Sequence, residues 1–215
     1  MLRNLLFDLD GTLTDPREGI VACIRHALVG LGREVPPERD LVTFIGPPLR
    51  PAFEAMLGSR ELADRAVALY RERFATLGMF ENEVYPGVAE TLATLRDLGF
   101  TLLVATSKPT TFAVRILEHF ELAGHFAGVH GSELSGERSD KGELLAHLLH
   151  ARNLSPRDAI MIGDRSFDML AARKHGIGAI GVLWGYGSRD ELLDAGAEVL
   201  VTRMDELVAH LRSAA

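Results

Sequence analysis

Cysteine is nearly absent from this chain, which has one among 215 residues. The single thiol, Cys23, excludes a disulfide within the chain and fits a reducing compartment. Its place in an amphipathic stretch favours packing over reactivity. Without cross-links the fold depends on an ordinary hydrophobic core, and 47% hydrophobic with 25% charged residues is the usual composition of a globular protein.

The chain also lacks an excess of basic residues and lacks long apolar runs. The formal net charge is -7 at pH 7, which argues against a broad basic surface that binds a nucleic acid polymer. No apolar run approaches the roughly 20 residues that cross a bilayer. Asp8 and Asp10 interrupt the first apolar run before it could serve as a secretory signal. We therefore expect a cytoplasmic protein without a membrane partner, and small anionic substrates stay open to it.

Short apolar runs alternate with helical segments over most of the chain. A first run covers residues 2–8, and five more follow after Tyr85, at residues 101–105, 128–130, 159–163, 178–182 and 198–201. Such alternation is typical of an α/β fold in which a Rossmann-like parallel sheet is flanked by helices. Ligands of these sheets bind beyond the carboxyl ends of the strands, so the residues after each run are candidates for a site.

A long segment with helical periodicity separates the first run from the others. Apolar residues recur at helical spacing from Arg17 to Gly78, and glycines and prolines divide this segment into about four helices. The segment is too long for a simple crossover. We predict an α/β core of residues 1–15 and 81–215, with a small α-helical domain of residues 16–80 inserted after the first strand.

Two aspartates, Asp8 and Asp10, come at the end of the first apolar run. Side chains alternate along an extended strand, so both carboxylates face the same side and repel each other unless a cation lies between them. Mg²⁺ is the natural ion for such a cluster of hard oxygen ligands. A turn at Asp10 and Gly11 would explain one acid, but it leaves Asp8 without a structural reason.

Two further positions carry polar residues next to predicted helices. Thr106 and Ser107 lie between a strand and a helix that we expect to begin at Pro109, where free amides hold an anion or a hydroxyl simply caps the helix. Lys141 opens another helix, although a cation is unfavourable at a helix N-terminus. That placement indicates a role for Lys141 beyond that of a solvated surface lysine.

Asp164 follows another apolar run, and Asp168 comes one helical turn later. Both carboxylates can then face the same cleft. They would complete an acidic metal site, or they would cap the helix and complement its dipole. The capping interpretation carries more weight for Asp168 than for Asp164.

These positions resemble the four ordered motifs of the haloacid dehalogenase superfamily, over essentially the whole chain. The matching residues are Asp8-Leu9-Asp10-Gly11-Thr12, Thr106-Ser107, Lys141, and Gly163-Asp164 with Asp168. The inserted helices resemble the small α-helical cap of that superfamily. The segments Gly46 to Leu49 and Gly181 to Gly187 resemble the phosphoglycolate phosphatase group and its bacterial nucleotidase-like relatives, which also share a stretch like that from Gly131 to Arg138.

The resemblance implies a covalent reaction that depends on Mg²⁺. Asp8 would be the nucleophile that forms an aspartyl-phosphate, and Asp10 would be the general acid and base. Asp8, Asp164 and the main-chain carbonyl of Asp10 would hold the Mg²⁺ ion. Asp8, Asp10 and Asp164 are therefore the predicted metal residues.

The resemblance also implies which residues contact the substrate. Thr106 and Lys141 would stabilise the oxygens of the transferring phosphoryl group, and Asp168 would orient Lys141 or a metal-bound water. The residues expected to bind substrate are Gly11, Thr12, Ser107, Lys108 and Arg50. Arg50, from the predicted cap, is the candidate partner for a substrate carboxylate.

These roles predict a Mg²⁺-dependent phosphatase that acts on a small phosphorylated metabolite, most similar to phosphoglycolate phosphatase. A 5′-nucleotidase that acts on nucleoside monophosphates is the closest alternative. A phosphosugar mutase, which returns phosphate to the sugar, and a noncatalytic binding protein on the same scaffold rank below it. A dehalogenase is also less favoured, because that chemistry needs neither Asp10 nor a metal, and the sequence has both Asp10 and the metal-site carboxylates.

Overall fold

A computed structural model describes residues 2–214 of the chain. These residues form two compact units. Unit 1 contains the residues up to Asp15 and those from Val84 onward, and unit 2 contains Pro16–Glu83. That unit 2 acts as a cap stays a prediction from the sequence.

Unit 1 is built on a parallel sheet. The strands of the chain are β1 (Asn4–Phe7), β2 (Thr14–Asp15), β3 (Glu83–Val84), β4 (Thr101–Pro109), β5 (Gly128–Ser132), β6 (Ala159–Gly163), β7 (Gly178–Val182) and β8 (Val199–Val201). Six of them form one sheet in the order β5-β4-β1-β6-β7-β8, and all neighbouring strands in it run parallel. The predicted parallel sheet is therefore confirmed.

Helices connect the strands of unit 1 and make up most of unit 2. The α-helices are α1 (Arg17–Gly30), α2 (Glu38–Leu41), α3 (Leu49–Leu57), α4 (Arg60–Arg73), α5 (Val88–Asp97), α6 (Thr110–His119), α7 (Lys141–Arg152), α8 (Ser166–His175), α9 (Arg189–Ala195) and α10 (Met204–Ala214). Short 3₁₀ turns cover Val42–Phe44, Ala123–His125 and Pro156–Asp158, and a π-helical turn covers Phe74–Gly78.

The core of unit 1 lies between the sheet and its covering helices. Leu6 of β1 stands opposite Leu103 of β4 and Met161 of β6, so these three side chains share one face of the sheet. They pack against buried residues of the covering helices, including Leu145 of α7 and Met169 of α8. Burial of a side chain of this size contributes about 1.5–3 kcal/mol, which fixes the helices over the sheet.

The register of the central strands brings three motifs to one edge of the sheet. Phe7, the last residue of β1, stands opposite Val104 of β4 and Ile162 of β6. The residues that follow Phe7, Val104 and Ile162 therefore lie on neighbouring parallel strands at the same edge. This is the carboxyl edge where ligands of open α/β sheets bind.

Unit 2 has a core of its own. Its centre contains Phe44, Phe53, Tyr70 and Phe74, all buried, with ring centroids 5.0 Å apart for Phe44 and Phe53 and 5.3 Å apart for Tyr70 and Phe74. Cys23 is fully buried in the same unit, as its place in an amphipathic stretch predicted. These aromatic residues pack the inserted helices together.

No helix within residues 2–214 is both long enough and apolar enough to cross a membrane. The cytoplasmic location stays a prediction from the sequence.

Candidate active site

The first acidic pair lies where β1 ends. The Asp8 amide donates a hydrogen bond to the carbonyl of Ile162 at 2.9 Å, so Asp8 still follows the edge of β6, and its side chain is buried. The chain then turns back at Gly11, whose φ of +81° is in the left-handed region that glycine adopts without strain. The Gly11 amide closes the turn on the carbonyl of Thr14 at 2.7 Å.

Lys141 joins three groups at this edge of the sheet. Its ammonium lies 2.9 Å from Asp8 Oδ1 and 2.8 Å from Asp168 Oδ1, and it donates to the carbonyl of Ala105 at 2.8 Å. Burial lowers the pKa of Lys141, but Asp168 and Asp8 outweigh that effect and raise it above its ordinary value. Lys141 is therefore charged. Its position at the start of α7 is explained by these two carboxylates, while Asp140 caps the helix.

Asp168 turns both of its oxygens towards donors. Oδ1 contacts Lys141, and Oδ2 accepts a hydrogen bond from the Arg165 amide at 3.2 Å. Burial raises the pKa of Asp168 to about 6, against the opposing attraction of Lys141. Asp168 therefore contacts Lys141 and also accepts a hydrogen bond at the start of α8. The first contact fits a role in orienting Lys141, and the second fits the helix-capping interpretation.

Asp164 has no such cation beside its carboxylate. It is fully buried, and within residues 2–214 it makes no ion pair. Burial, followed by repulsion from Asp168 and Asp8, raises the pKa of Asp164 well above its ordinary value. Asp8, Asp164 and Asp168 each offer an oxygen within 4.8 Å of the others. Three buried carboxylates, of which only Asp8 and Asp168 pair with Lys141, suit a divalent cation with hard oxygen ligands, such as Mg²⁺.

Asp10, predicted as a metal residue and as the acid and base, is directed towards a different lysine. Its Oδ2 lies 2.9 Å from the Lys108 ammonium, and both side chains are largely buried. Its Oδ1 has no hydrogen-bond partner in the described chain. Burial raises the pKa of Asp10, while Lys108 lowers it. Lys108, predicted to bind substrate, thus contacts Asp10.

The second motif lies within a strand, and here the predicted boundary is wrong. β4 continues through Thr106 and Ser107 to Pro109, and α6 begins at Thr110, because a register shift between Ala105 and Pro109 lets β4 resume its pairing with β5. Pro109 is the residue before the helix.

Hydrogen bonds fix this irregular part of β4. Thr106 is buried, and its Oγ1 accepts from the Lys108 amide at 3.2 Å, which leaves its own proton free to donate. Ser132 Oγ of β5 donates to the Ser107 carbonyl at 2.8 Å. Ser132 belongs to the stretch that resembles the nucleotidase-like relatives.

Gly11 and Thr12, also predicted to bind substrate, lie against Asp164. A Cβ on Gly11 would be 2.2 Å from Asp164 Oδ2, so only glycine fits there. Thr12 Oγ1 donates a long hydrogen bond to Asp164 Oδ1 at 3.4 Å. Both residues line the Asp164 carboxylate. Arg50 belongs to unit 2, where its exposed guanidinium pairs with Asp64 at 3.1 Å.

Two sets of contacts at this edge were not predicted. The loop after β7 reaches Asp164 through the Tyr186 amide, which donates to Asp164 Oδ2 at 2.8 Å. Glu191 of α9 accepts from Arg165 Nε at 3.0 Å and from the Ser166 amide at 2.9 Å. Gly185 and Gly187, in the loop after β7, indicate a turn in the sequence. No sequence pattern distinguishes Glu191 from other surface glutamates.

Comparison with known proteins agrees with this arrangement. Residues 5–182 match the family model for haloacid dehalogenase-like hydrolases. The chain is 50% identical over 190 residues to a 5′-nucleotidase of Pseudomonas aeruginosa, covering 88% of this chain and 86% of that protein. It is 42% identical over 207 residues to the tyrosine-protein kinase PtkA of Mycobacterium tuberculosis, covering 94% of this chain and 70% of that protein.

A solved structure gives the same result for the fold. The crystal structure of a predicted phosphatase from Clostridium acetobutylicum superposes with a TM-score of 0.95 at 42% identity, covering 99% of both chains. The fold, the acidic site and these similarities point in one direction. The chain belongs to the haloacid dehalogenase-like hydrolase family, as a phosphoric monoester hydrolase.

Proposed function

We propose that this hydrolase uses Mg²⁺ and works through an aspartyl-phosphate on Asp8. The observation that carries the proposal is the convergence of Asp8, Asp164 and Asp168 on one buried position with a single charged lysine, Lys141, among them. Such a cluster of charges, buried at the carboxyl edge of a parallel sheet, is suited to chemistry on an anionic group.

Asp8 and Asp10 divide the reaction between them. An oxygen of Asp8 forms a bond to phosphorus as the bond from phosphorus to the leaving alcohol breaks, and Asp10 gives its proton to that alcohol. A water then attacks phosphorus, gives a proton to Asp10 and releases phosphate from Asp8. Burial raises the pKa of Asp10, which helps it hold the first proton, and Lys108 favours the ionised form that must accept the second.

Asp8, Asp164 and the main-chain carbonyl of Asp10 are the proposed ligands of Mg²⁺. When bound, the ion supplies positive charge that reduces repulsion between the nucleophile and the phosphoryl group. Both oxygens of Asp168 already meet donors, Lys141 and the Arg165 amide. We therefore assign Asp168 the role of orienting Lys141.

The proposed phosphoryl-binding groups are Thr106, Ser107, Lys141, Gly11 and Thr12. The Thr106 hydroxyl accepts from a main-chain amide, so its proton can point to a phosphoryl oxygen. Lys141 carries positive charge next to Asp8, where negative charge grows during attack. These donors are held before the reaction begins, and that preorganisation lowers the barrier.

Nucleoside 5′-monophosphates are the proposed first substrate class. The nucleotidase relative is 50% identical over most of both chains, which supports this class over 2-phosphoglycolate, the class that sequence resemblance alone put first. Arg50 was predicted to bind a substrate carboxylate, but its guanidinium already pairs with the carboxylate of Asp64. Phosphoglycolate stays the second candidate.

A substrate panel tests the reaction and the substrate together. Phosphate release would be measured from nucleoside monophosphates, 2-phosphoglycolate and sugar phosphates, each with Mg²⁺ and with a chelator. We expect release from a nucleotide, dependent on Mg²⁺. Preference for 2-phosphoglycolate would overturn the substrate class, and isomerisation of a sugar phosphate without release would indicate a mutase.

The nucleophile has a separate test. Asp8→Asn keeps the size of the side chain but removes the attacking charge, so the folded variant should show no detectable turnover. Trapping of ³²P from labelled substrate on wild type, and not on the variant, would report the covalent step. Turnover by the variant, with unchanged thermal unfolding, would exclude Asp8 as the nucleophile.

A further inference from the structure

The loop that follows β7 packs against Asp164, which follows β6. The two strands are neighbours in the sheet. A Cβ added to Gly185 would lie 2.4 Å from Asp164 Cβ, and one added to Gly187 would lie 2.0 Å from the Asp164 carbonyl oxygen. Contacts this close are possible only for glycine, so the loop main chain packs directly on Asp164.

A single amide of this loop orients the Asp164 carboxylate. The Tyr186 amide donates to Oδ2 at 2.8 Å, whereas the hydrogen bond from Thr12 to Oδ1 is long, at 3.4 Å. Oδ2 is therefore held by the stronger contact, and Oδ1 faces the weaker one. Any shift of residue 186 would turn the carboxylate relative to Asp8.

Two side chains of the loop, those of Trp184 and Tyr186, fix the position of this amide. Trp184 Nε1 donates to the carbonyl of Thr12 at 3.0 Å. The Tyr186 hydroxyl donates to Asp15 Oδ1, at the end of β2. Burial, followed by the hydrogen bond to Asp15, raises the pKa of Tyr186, so the phenol keeps its proton at neutral pH. The ring thus fastens the residue whose amide holds Asp164.

We propose that Asp15 and Tyr186 form a positioning pair for the metal site. Their hydrogen bond keeps the Tyr186 amide on Asp164 Oδ2 and so presents the carboxylate to a divalent cation. Neither residue touches the reacting atoms. The inference rests on the proposed function, because it assumes that Asp164 is a ligand of Mg²⁺.

Direct binding of Mg²⁺ to the full chain, without substrate, is the measurement that tests the pair. Tyr186→Phe removes only the hydroxyl and leaves both the ring and the charge of Asp15. We expect calorimetric titration to show affinity for Mg²⁺ reduced about 10-fold, the usual scale for loss of a group that orients a metal ligand. Turnover at saturating Mg²⁺ should change far less than the Mg²⁺ concentration that half-activates the enzyme.

Changes at Asp15 separate hydrogen bonding from charge. Asp15→Asn removes the charge but keeps an oxygen that can accept from the phenol, while Asp15→Leu removes both. We expect the leucine variant to match Tyr186→Phe and the asparagine variant to lose less affinity. Asp15→Leu combined with Tyr186→Phe should bind Mg²⁺ no more weakly than the weaker single variant, because the two residues act through one contact.

Tyr85→Phe is the matched control. Tyr85 is a half-buried tyrosine whose pKa is raised by burial and by the charges of Asp15, Asp164 and Asp10, so it is exposed to the field of the same carboxylates. We expect this variant to bind Mg²⁺ as wild type does. Equal losses in Tyr85→Phe and Tyr186→Phe would overturn the pair, since any lost hydroxyl would then suffice.

The outcomes distinguish this inference from the proposed function. If wild type binds no Mg²⁺ and turns over in chelator, the proposed function fails. If wild type binds Mg²⁺ and Tyr186→Phe binds it equally, only the positioning pair fails. If both Asp15 variants weaken binding equally while Tyr186→Phe does not, the effect is one of charge, and the pair is again overturned.

Discussion

The candidate site has two halves with opposite electrostatics. In one half Lys141 lies between Asp8 and Asp168, and each carboxylate is within 2.9 Å of its charge. In the other half Asp164 is surrounded by main chain, glycines and a neutral hydroxyl, without an ion pair in the described residues. The first half has one cation for two carboxylates, whereas the second has a buried carboxylate with no ion pair among the described residues.

The two halves therefore affect the stability of the folded protein in opposite ways. A buried ion pair is costly to break, because removal of one partner leaves the other charge unpaired. A buried carboxylate without a partner is costly to keep, and a divalent cation relieves that cost. The ion pairs of Lys141 therefore stabilise the folded protein, whereas burial of Asp164 costs stability unless a cation binds there.

The largest effect should come from breaking the ion pairs of Lys141. Lys141→Met leaves Asp8 and Asp168 buried without their cation, so we expect a loss of about 3–5 kcal/mol in the free energy of unfolding. Turnover should fall about 100- to 1,000-fold, as for loss of a donor to transition-state charge. Urea unfolding and phosphate release measure the two effects. Lys174→Met, on the exposed side of α8, should change neither.

Removing the Asp164 carboxyl should act in the opposite direction on stability. Asp164→Asn should abolish Mg²⁺ binding, yet raise the unfolding temperature of the metal-free protein at neutral pH, since it deletes a buried carboxyl whose ionisation is disfavoured in the folded state. The pKa of Asp164 is raised in the folded state, so the folded protein retains a proton that the unfolded chain loses above about pH 4. Wild type in chelator should therefore lose stability as pH rises above that value.

The same pH scan checks the sign of this argument. The variant should lose less stability than wild type over the same range, and Mg²⁺ should restore stability to wild type alone. Asp168, whose raised pKa is about 6, contributes a loss in the same direction between its ordinary value and pH 6 in both proteins. A variant that is less stable than metal-free wild type at neutral pH would contradict the comparison between the two halves.

The smallest effect should come from the neutral hydroxyl beside Asp164. Thr12→Val keeps the shape of the side chain and removes its long hydrogen bond to Oδ1. Such a bond is worth about 1 kcal/mol or less, so we expect affinity for Mg²⁺ to fall no more than about fivefold. Thr12→Ser should restore it. A loss as large as that in Asp164→Asn would show that the hydroxyl has a greater part than its distance suggests.

The sequence predicted the outline of this site because parallel strands expose their carboxyl ends together. Residues after β1 and β6 had to meet at one edge once the sheet was parallel, and this brings Asp8 and Asp164 together. Lys141 could be found because it violates a local electrostatic rule at a helix start. Local rules and one topological rule were enough for these positions.

Contacts that depend on the exact path of the chain could not be predicted. The register shift that keeps Thr106 and Ser107 within β4 leaves no mark in the pattern of apolar residues. The glycines after β7 indicate a turn, but their contact with Asp164 requires β7 to lie next to β6. Whether Asp10 would face Lys108 or the cluster of Asp8, Asp164 and Asp168 depends on distances of a few ångströms that the sequence does not encode locally.

The sole sulfhydryl of the chain also gives the molecule a natural reporter. Cys23 is fully buried in unit 2, and Arg73 Nη1 donates to its sulfur at 3.4 Å. A thiol-modifying reagent can therefore reach it only when that unit opens. The rate of labelling, followed by mass spectrometry, measures the opening of the inserted helices. Release of phosphate measures the activity of the α/β unit, and neither measurement needs an engineered substitution.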